Sequence, residues 1–115
     1  MEINRGELWM INLDPTIGHE INKRRPGLVI QNDLGNKFSP MTIVLPISSQ
    51  KIEKIYPFEV YLKQEQKIGL EKDSKVLCNQ IRAIDKKRLS KKIGKLSEEL
   101  MEEINNAVKI SLGLE

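Results

Sequence analysis

The strongest restriction on the fold is a series of short apolar runs, each of which ends in turn residues. The first run covers residues 6–13 and is stopped by Asp14-Pro15-Thr16-Ile17-Gly18, whose proline and glycine interrupt regular structure. Further runs cover residues 27–31, 41–47, 58–62, 74–80 with a continuation to 85, and about 91–94. Runs of this length and composition are typical of β-strands. Five to seven such strands predict a small, strongly curved antiparallel β-barrel.

Helical periodicity is confined to the C-terminal segment. Ser97 predicts an N-cap, and Glu98 and Glu99 favour the positive end of a helix dipole. The i, i+3, i+4 spacing of an amphipathic helix is followed by Leu100, Ile104, Ala107, Val108, Ser111 and Leu112. We expect one helix over about residues 97–112. Since 115 residues fit one domain, we also expect a single domain over residues 1–115.

Hydropathy and residue usage exclude several classes of protein. The longest apolar stretches, 28–30 and 43–47, are too short to cross a bilayer, and the N-terminal residues lack the apolar segment of a secretory signal. We therefore expect a cytoplasmic protein without a membrane partner. The single cysteine, Cys78, lies in an apolar run, which predicts a core residue rather than a nucleophile. One cysteine and one histidine cannot form the usual zinc ligand set, so we expect no metal and no cofactor.

The net charge of +3 is unevenly distributed. Residues 97–115 carry −4, which leaves +7 for residues 1–96, and residues 82–95 hold seven basic side chains against one acid, Asp85. Such a field attracts nucleic acid and other polyanions, although a solvated lysine surface explains the charge equally well. Within this stretch we interpret four lysines as a solvated face that adds to the attraction: Lys86, Lys87, Lys91 and Lys92.

Three stretches occur together in an order and spacing that resemble one family. They are Arg5-Gly6-Glu7-Leu8-Trp9, followed by Leu13-Asp14-Pro15 and Gly18-His19-Glu20; Arg25-Pro26-Gly27-Leu28-Val29-Ile30-Gln31-Asn32-Asp33; and Gln80-Ile81-Arg82-Ala83-Ile84-Asp85-Lys86-Lys87-Arg88-Leu89. The sequence resembles the MazF/PemK toxins of bacterial type II toxin–antitoxin systems, especially their Gram-positive branch. The resemblance covers nearly the whole chain, from about residue 5 to the terminal helix.

The resemblance implies an SH3-like β-barrel with a C-terminal helix, assembled as a homodimer. It also implies a metal-independent endoribonuclease that cuts single-stranded mRNA at a short sequence and leaves a 2′,3′-cyclic phosphate and a 5′-hydroxyl. The implied partner is a cognate MazE-like antitoxin, which wraps the dimer and fills the RNA groove.

The same resemblance assigns roles to individual residues. The catalytic arginine of the family's Arg-Pro motif falls on Arg25, and the catalytic hydroxyl falls on Ser48, where threonine is usual. We place further RNA contacts at His19, Glu20, Ser49, Gln50, Gln80 and Arg82. His19 has the only side chain here whose ordinary pKa lies near neutrality. Some plasmid-borne members have an acid immediately before the glutamine of the third stretch, but this chain has Asn79 there.

Elementary chemistry supports the assignment of Arg25 and leaves several other roles open. A planar guanidinium binds two phosphate oxygens at once, whereas its pKa above about 12 makes it a poor general base. The Ser48 hydroxyl can donate to a phosphate oxygen or orient Arg25, or it can bond nearby backbone at a strand end. Arg82 can hold a phosphate or the carboxylate of Asp85. Trp9 is expected in barrel packing or in a dimer contact.

Two other functions stay open at this point. A CcdB-like toxin of the same fold acts without catalysis, but such proteins lack the Arg-Pro motif, so Arg25-Pro26 favours the nuclease. A basic barrel that binds nucleic acid without cutting it is the other alternative. Cleavage of RNA into discrete fragments in the presence of EDTA distinguishes the nuclease from both.

Overall fold

The described part of the chain forms seven strands and two α-helices. The computed structural model describes residues 2–13, 24–65 and 68–114. In chain order the elements are β1 Glu7–Asn12, β2 Arg24–Val29, α1 Asp33–Phe38, β3 Met41–Ser48, β4 Glu59–Leu62, β5 Ser74–Leu77, β6 Arg82–Asp85, β7 Leu89–Lys95 and α2 Glu98–Leu112, with a 3₁₀ turn at Lys86–Arg88. The strands agree with the apolar runs to within about three residues, and the run 74–85 is divided between β5 and β6.

The strand pairings are all antiparallel, in the order β4-β5-β3-β2-β1-β7, with β6 paired to β3 off this path. β3 organises the sheet because it reaches three neighbours. It pairs with β2 and β6 through its first six residues and with β5 through Ile47 and Ser48. The predicted mainly β fold with a C-terminal helix is therefore confirmed. The pairings of the described strands do not close the sheet, since β4 and β7 each have a single neighbour.

The sheet has a buried cluster on each face, and adjacent residues of its central strands pack into different clusters. Leu28 and Val29 of β2 belong to different clusters, as do Val44 and Leu45 of β3, which follows from the alternation of side chains along a strand. The first cluster includes Leu8, Leu28, Leu45, Ile47, Val60 and Leu62 from the sheet and Met101, Ile104 and Ala107 from α2. The second includes Ile3, Trp9, Ile11, Val29, Val44 and Ile84. α2 thus packs against one face of the sheet, and the second cluster covers the other face.

The C-terminal helix follows its sequence pattern. α2 begins after Ser97, whose Oγ accepts the N–H of Leu100 at 3.2 Å. Glu98 and Glu99 lie in the first turn, where carboxylates stabilise the helix dipole. The helix ends at Gly113, which has a left-handed φ of 72°. The predicted cap and range are confirmed to within one residue.

A second helix contradicts the expectation that only the last segment is helical. α1 follows Asn32, whose Oδ1 accepts the N–H of Gly35 at 2.7 Å and so caps the helix. Asn36 is buried, and its Oδ1 accepts the hydroxyl of Thr42 at 2.7 Å, which ties α1 to β3. Asparagine and aspartate favour turns and helix N-caps alike, so the local pattern predicted a turn where six residues form a helix.

Glu7 and Trp9 form a buried polar contact at the start of β1. The indole N–H of Trp9 donates to Oε1 of Glu7 at 3.0 Å, and Nζ of Lys92 lies 2.9 Å from Oε2. Burial raises the pKa of the Glu7 carboxyl, but the N–H of Asn4, the Lys92 ammonium and the indole together lower it, so the pKa lies below its usual value. Trp9 is only 6% exposed and packs in the second cluster, which is one of the two roles expected for it.

Cys78 is confirmed as a core residue. It has no exposed surface, and burial raises the pKa of its thiol to about 12.

We expect iodoacetamide at about pH 8 to label Cys78 roughly 10³-fold more slowly in the folded protein than in denaturant, because the thiolate reacts and an exposed thiol has a pKa of about 8.5. Since folding raises this pKa, the thiol favours the folded state below about pH 8.5, and that contribution is lost as the pH rises toward 12. Equal labelling rates in the two states, measured by mass spectrometry, would contradict this prediction.

Candidate nucleic-acid groove

An open groove of about 700 Å³ lies between β2, β7 and the segment that precedes β5. Its polar lining consists of Arg24, Arg25, Ser49, Glu71, Lys72, Ser74, Ser90 and Lys91. Four cations against one carboxylate give this lining a net charge of +3. The remaining lining is mainly apolar and includes Met10, Pro26, Ile47, Leu70 and Ile93. Cations with apolar surface between them suit a single nucleic-acid strand, whose phosphates and bases need both.

One wall of the groove depends on a direct contact between two backbone segments. An ideal Cβ on Gly69 would lie 1.8 Å from the carbonyl oxygen of Ile93, and one on Gly94 would lie 2.2 Å from the carbonyl oxygen of Ile68. The segment 68–70 therefore touches β7 with no side chain between them. This contact brings Glu71 and Lys72 to the same groove as Lys91 of β7.

Arg25 lines the groove from the start of β2. β2 lies between β1 and β3, and Arg25 is directly opposite Ile11 of β1. Its side chain is half-buried, and the exposed Arg24 lines the groove beside it. A guanidinium carried by a central strand is held more firmly than one on a loop. The structure thus places the predicted catalytic arginine, half-buried, in the lining of the groove.

Ser48 lies at the end of β3, next to the groove but largely covered. It is 4% exposed, and its Oγ accepts the N–H of Gln50 at 3.0 Å. The β2–β3 pairing ends at Gly27 and Pro46, so Arg25 and Ser48 each lie two residues beyond its last pair, and Ser48 is not among the lining residues of the groove. Because a hydroxyl has two lone pairs and one proton, Ser48 can accept from Gln50 and still donate elsewhere. The backbone contact expected of a strand-end serine is therefore present, and it is compatible with donation.

The predicted RNA contacts do not all meet at the groove. Ser49 lines it, whereas Gln50, Gln80 and Arg82 are not among its lining residues. Arg82 donates from Nη1 to the carbonyl oxygen of Leu13 at 3.4 Å. The carboxylate of Asp85, its expected alternative partner, accepts the N–H of Lys87 at 2.8 Å. His19 and Glu20 lie outside the described residues.

The basic stretch 82–95 is not one solvated face. Nζ of Lys86 donates to the carbonyl oxygen of Asn36, and Nη1 of Arg88 donates to that of Asn12 at 3.0 Å. Lys92 is paired with Glu7, as described above. Lys91 is exposed and lines the groove, as expected of a solvated lysine that adds to the attraction, whereas the half-buried Lys86 does not belong to a solvated face.

Several lining residues were not identified from the sequence: Arg24, Glu71, Lys72, Ser74, Ser90 and Lys91. Arg24 had a signal, since it adjoins Arg25 in the motif. The others come from β7, from the start of β5 and from the segment before it, and their distance along the chain gives no local indication that they meet Arg25. Within residues 2–13, 24–65 and 68–114, no three His, Cys, Asp or Glu side chains are grouped as a metal site requires. In the same ranges, no helix is long and apolar enough to span a membrane.

Comparisons with known proteins agree along nearly the whole chain. The sequence model described as PemK-like, MazF-like toxin of type II toxin–antitoxin system matches residues 4–112. A Bacillus subtilis (strain 168) protein named endoribonuclease EndoA is 43% identical over 114 residues, which are 99% of this chain and 97% of that protein.

Solved structures show the same fold. A crystal structure of MazF (Form-I) from Deinococcus radiodurans superposes with a TM-score of 0.84 at 26% identity and covers 99% of each chain. A mycobacterial endoribonuclease in complex with its cognate antitoxin superposes with a TM-score of 0.81 at 19% identity, covering 98% of this chain and 97% of that chain. Because these structures cover 98–99% of this chain, the strands that form the groove, β2 and β7, belong to the shared fold.

Proposed function

The chain belongs to the family of PemK-like, MazF-like toxins of type II toxin–antitoxin systems, and we propose that it is an endoribonuclease. In this proposal it cleaves single-stranded mRNA at a short sequence, without a metal ion, and acts in the cytoplasm. The observation that carries the proposal is the groove of net charge +3 with Arg25 held in its wall by a central strand.

Metal-free cleavage of RNA requires three events at one phosphate. The adjacent 2′-hydroxyl loses its proton and attacks phosphorus, negative charge builds on the phosphate oxygens, and the 5′-oxygen leaves with a proton. In our proposal Arg25 binds two phosphate oxygens and stabilises the charge that develops on them. The Ser48 hydroxyl donates a further hydrogen bond to the phosphate. The products are a 2′,3′-cyclic phosphate and a 5′-hydroxyl.

The other cations of the groove bind the strand on either side of the scissile phosphate. Arg24, Lys72 and Lys91 are all exposed, so they can follow the flexible backbone of single-stranded RNA. Their contribution falls as salt rises because bound cations are released from the RNA on association. Binding should therefore weaken with salt more than the chemical step does.

Incubation of the purified protein with a long RNA in EDTA tests the proposed activity. We expect discrete fragments whose new 5′ ends accept phosphate from polynucleotide kinase without prior phosphatase treatment. Binding without fragments would favour a basic nucleic-acid-binding protein instead. Neither binding nor fragments would favour a non-catalytic toxin of the CcdB type.

Substitutions of Ser48 test the role of its hydroxyl. We expect Ser48→Ala to lower the cleavage rate on the order of tenfold, which is the effect of losing one hydrogen bond to a charged oxygen. Ser48→Thr should keep the rate or raise it, because the hydroxyl is retained and the added methyl restricts χ1. Single-turnover rates on a defined RNA measure both variants. If Ser48→Ala cleaves RNA at the wild-type rate, Ser48 is only a strand-end residue whose hydroxyl bonds the backbone of Gln50.

We further propose that the protein is a homodimer and that a MazE-like antitoxin competes with RNA for the groove. A groove that binds phosphates also attracts an acidic, partly disordered peptide. We expect the acidic segment of the cognate antitoxin to abolish cleavage, and the complex to weaken as salt increases. Titration of the antitoxin against cleavage and against binding measures this. Antitoxin that binds without blocking cleavage would contradict a shared groove.

A further inference from the structure

A buried ion pair lies one strand away from Ser48. Lys75 of β5 is directly opposite Ser48 in the β3–β5 pairing. Nζ of Lys75 lies 2.9 Å from Oε1 of Glu59, and the two side chains are only 7% and 8% exposed. The Lys92–Glu7 pair differs, because the Lys92 side chain is 49% exposed. Both charges of the Lys75–Glu59 pair are therefore withdrawn from water.

Both members of this pair also bond the main chain of the loop between β3 and β4, residues 49–58. Nζ of Lys75 donates to the carbonyl oxygen of Lys54 at 3.3 Å. Oε1 of Glu59 accepts the N–H of Tyr56 at 3.0 Å. The first turn of the same loop is held by the bond from Gln50 to Ser48. The loop is thus fixed near Ser48 at one end and by the ion pair at the other.

Stability does not explain why two charges are buried here. The cost of removing two charges from water commonly cancels their attraction, and apolar side chains of similar size stabilise a core as well or better. The ion pair makes directional hydrogen bonds that an apolar pair cannot make, because its polar atoms bind one carbonyl and one N–H of the loop. An apolar pair would fill the same space without selecting a loop conformation.

We propose that Lys75 and Glu59 are positioning residues that hold the loop 49–58 so that Ser49 faces the RNA groove. The inference rests on the proposed function, since RNA is the ligand of that groove. A loop held in one conformation binds without an ordering cost, whereas a loop that samples several binds only through its competent fraction. The effect falls on KM more than on kcat, because Ser48 is itself held in β3 by strand pairing.

The test is the double variant Lys75→Met with Glu59→Leu, which replaces the pair by apolar side chains of similar size. We expect a melting temperature within a few degrees of wild type, a KM raised about fivefold, and a kcat within about twofold. Amide hydrogen exchange should become faster in 49–58 and stay unchanged in β1 and β2. Lys109→Met with Glu103→Leu, which removes one exposed charge of each sign from α2, is the matched control and should leave KM unchanged.

Each contrary outcome overturns the inference in a recognisable way. Faster exchange in the loop with an unchanged KM shows that the pair does not position an RNA contact. Faster exchange throughout the protein with a lower melting temperature shows a merely stabilising pair. If the double variant does not fold, Lys75→Met with Glu59→Gln decides, because a glutamine oxygen can still accept the N–H of Tyr56 and no buried charge is left without its partner. If the wild-type protein cuts no RNA, the proposed function fails first, and the inference falls with it.

Discussion

Replacing Arg25 with alanine is expected to lower the rate of RNA cleavage by about 10²-fold or more while the protein stays folded. The side chain is half-buried in the groove wall, and its backbone is paired with Ile11 of β1. Its removal therefore deletes a charge partner of the transition state and leaves the strand intact. Arg25→Lys should recover only part of the rate, because an ammonium keeps the charge but cannot bind two phosphate oxygens in a fork.

Single-turnover cleavage of a defined RNA, with a thermal melt followed by circular dichroism, measures this effect. Arg24→Ala is the matched control, because Arg24 lines the same groove, adjoins Arg25 and is exposed. We expect it to raise KM and to reduce the salt dependence of binding, with a small effect on kcat. Full activity of Arg25→Ala with an unchanged melt would refute the enzymatic proposal.

The fold could be predicted from the sequence where its signals are local. Strand alternation over 58–62 and helical spacing after Ser97 both correspond to observed elements, because each arises within a few neighbouring residues. α1 was missed because six residues are too few for a periodic pattern and because its N-cap, Asn32, is also a turn former. Adjacent residues of the central strands β2 and β3 are both buried, so no polar side marks the orientation of these two strands, and their pairing could not be predicted from the sequence.

The site was only partly predictable because most of it is assembled by tertiary contacts. Arg25 could be found from the Arg-Pro motif, and Ser49 from its place beside Ser48. Lys72 and Lys91 are separated from Arg25 by many residues. Lys91 reaches the groove through the pairing of β7 with β1, and Lys72 through the contact between 68–70 and β7. The basic stretch 82–95 is visible in the composition. Composition does not show that Lys91 lines the groove while Lys86 and Arg88 donate to backbone carbonyls.

The contact between 68–70 and β7 predicts that substitution of Gly69 strongly lowers the stability of the protein. The residue has a left-handed φ of 77°, where an L side chain costs about 1–2 kcal/mol. In addition, its Cβ would lie 1.8 Å from the backbone oxygen of Ile93, and a backbone atom cannot move aside as the end of a flexible side chain can. We expect Gly69→Ala to destabilise the protein by about 3 kcal/mol or more.

The loss of stability is expected to come from the two buried side chains that flank Gly69. Ile68 and Leu70, on either side of Gly69, are 4% and 5% exposed and belong to the first core cluster. To relieve the clash, the segment must move away from β7, which uncovers both side chains and displaces Glu71 and Lys72 from the groove. Gly69→Ala should therefore lower both the melting temperature and RNA affinity.

Gly113→Ala provides the control that separates backbone strain from the clash. Gly113 has nearly the same φ, 72°, but a Cβ there would meet nothing within 4 Å. We expect this variant to lose only the strain energy, about 1 kcal/mol, which corresponds to a melting temperature lowered by roughly 4 °C. If Gly69→Ala melts at the same temperature as Gly113→Ala, the close approach of the segment to β7 does not hold the groove wall. A much larger loss at Gly69 shows that this backbone contact, far from Arg25 in sequence, determines the shape of the groove that Arg25 lines.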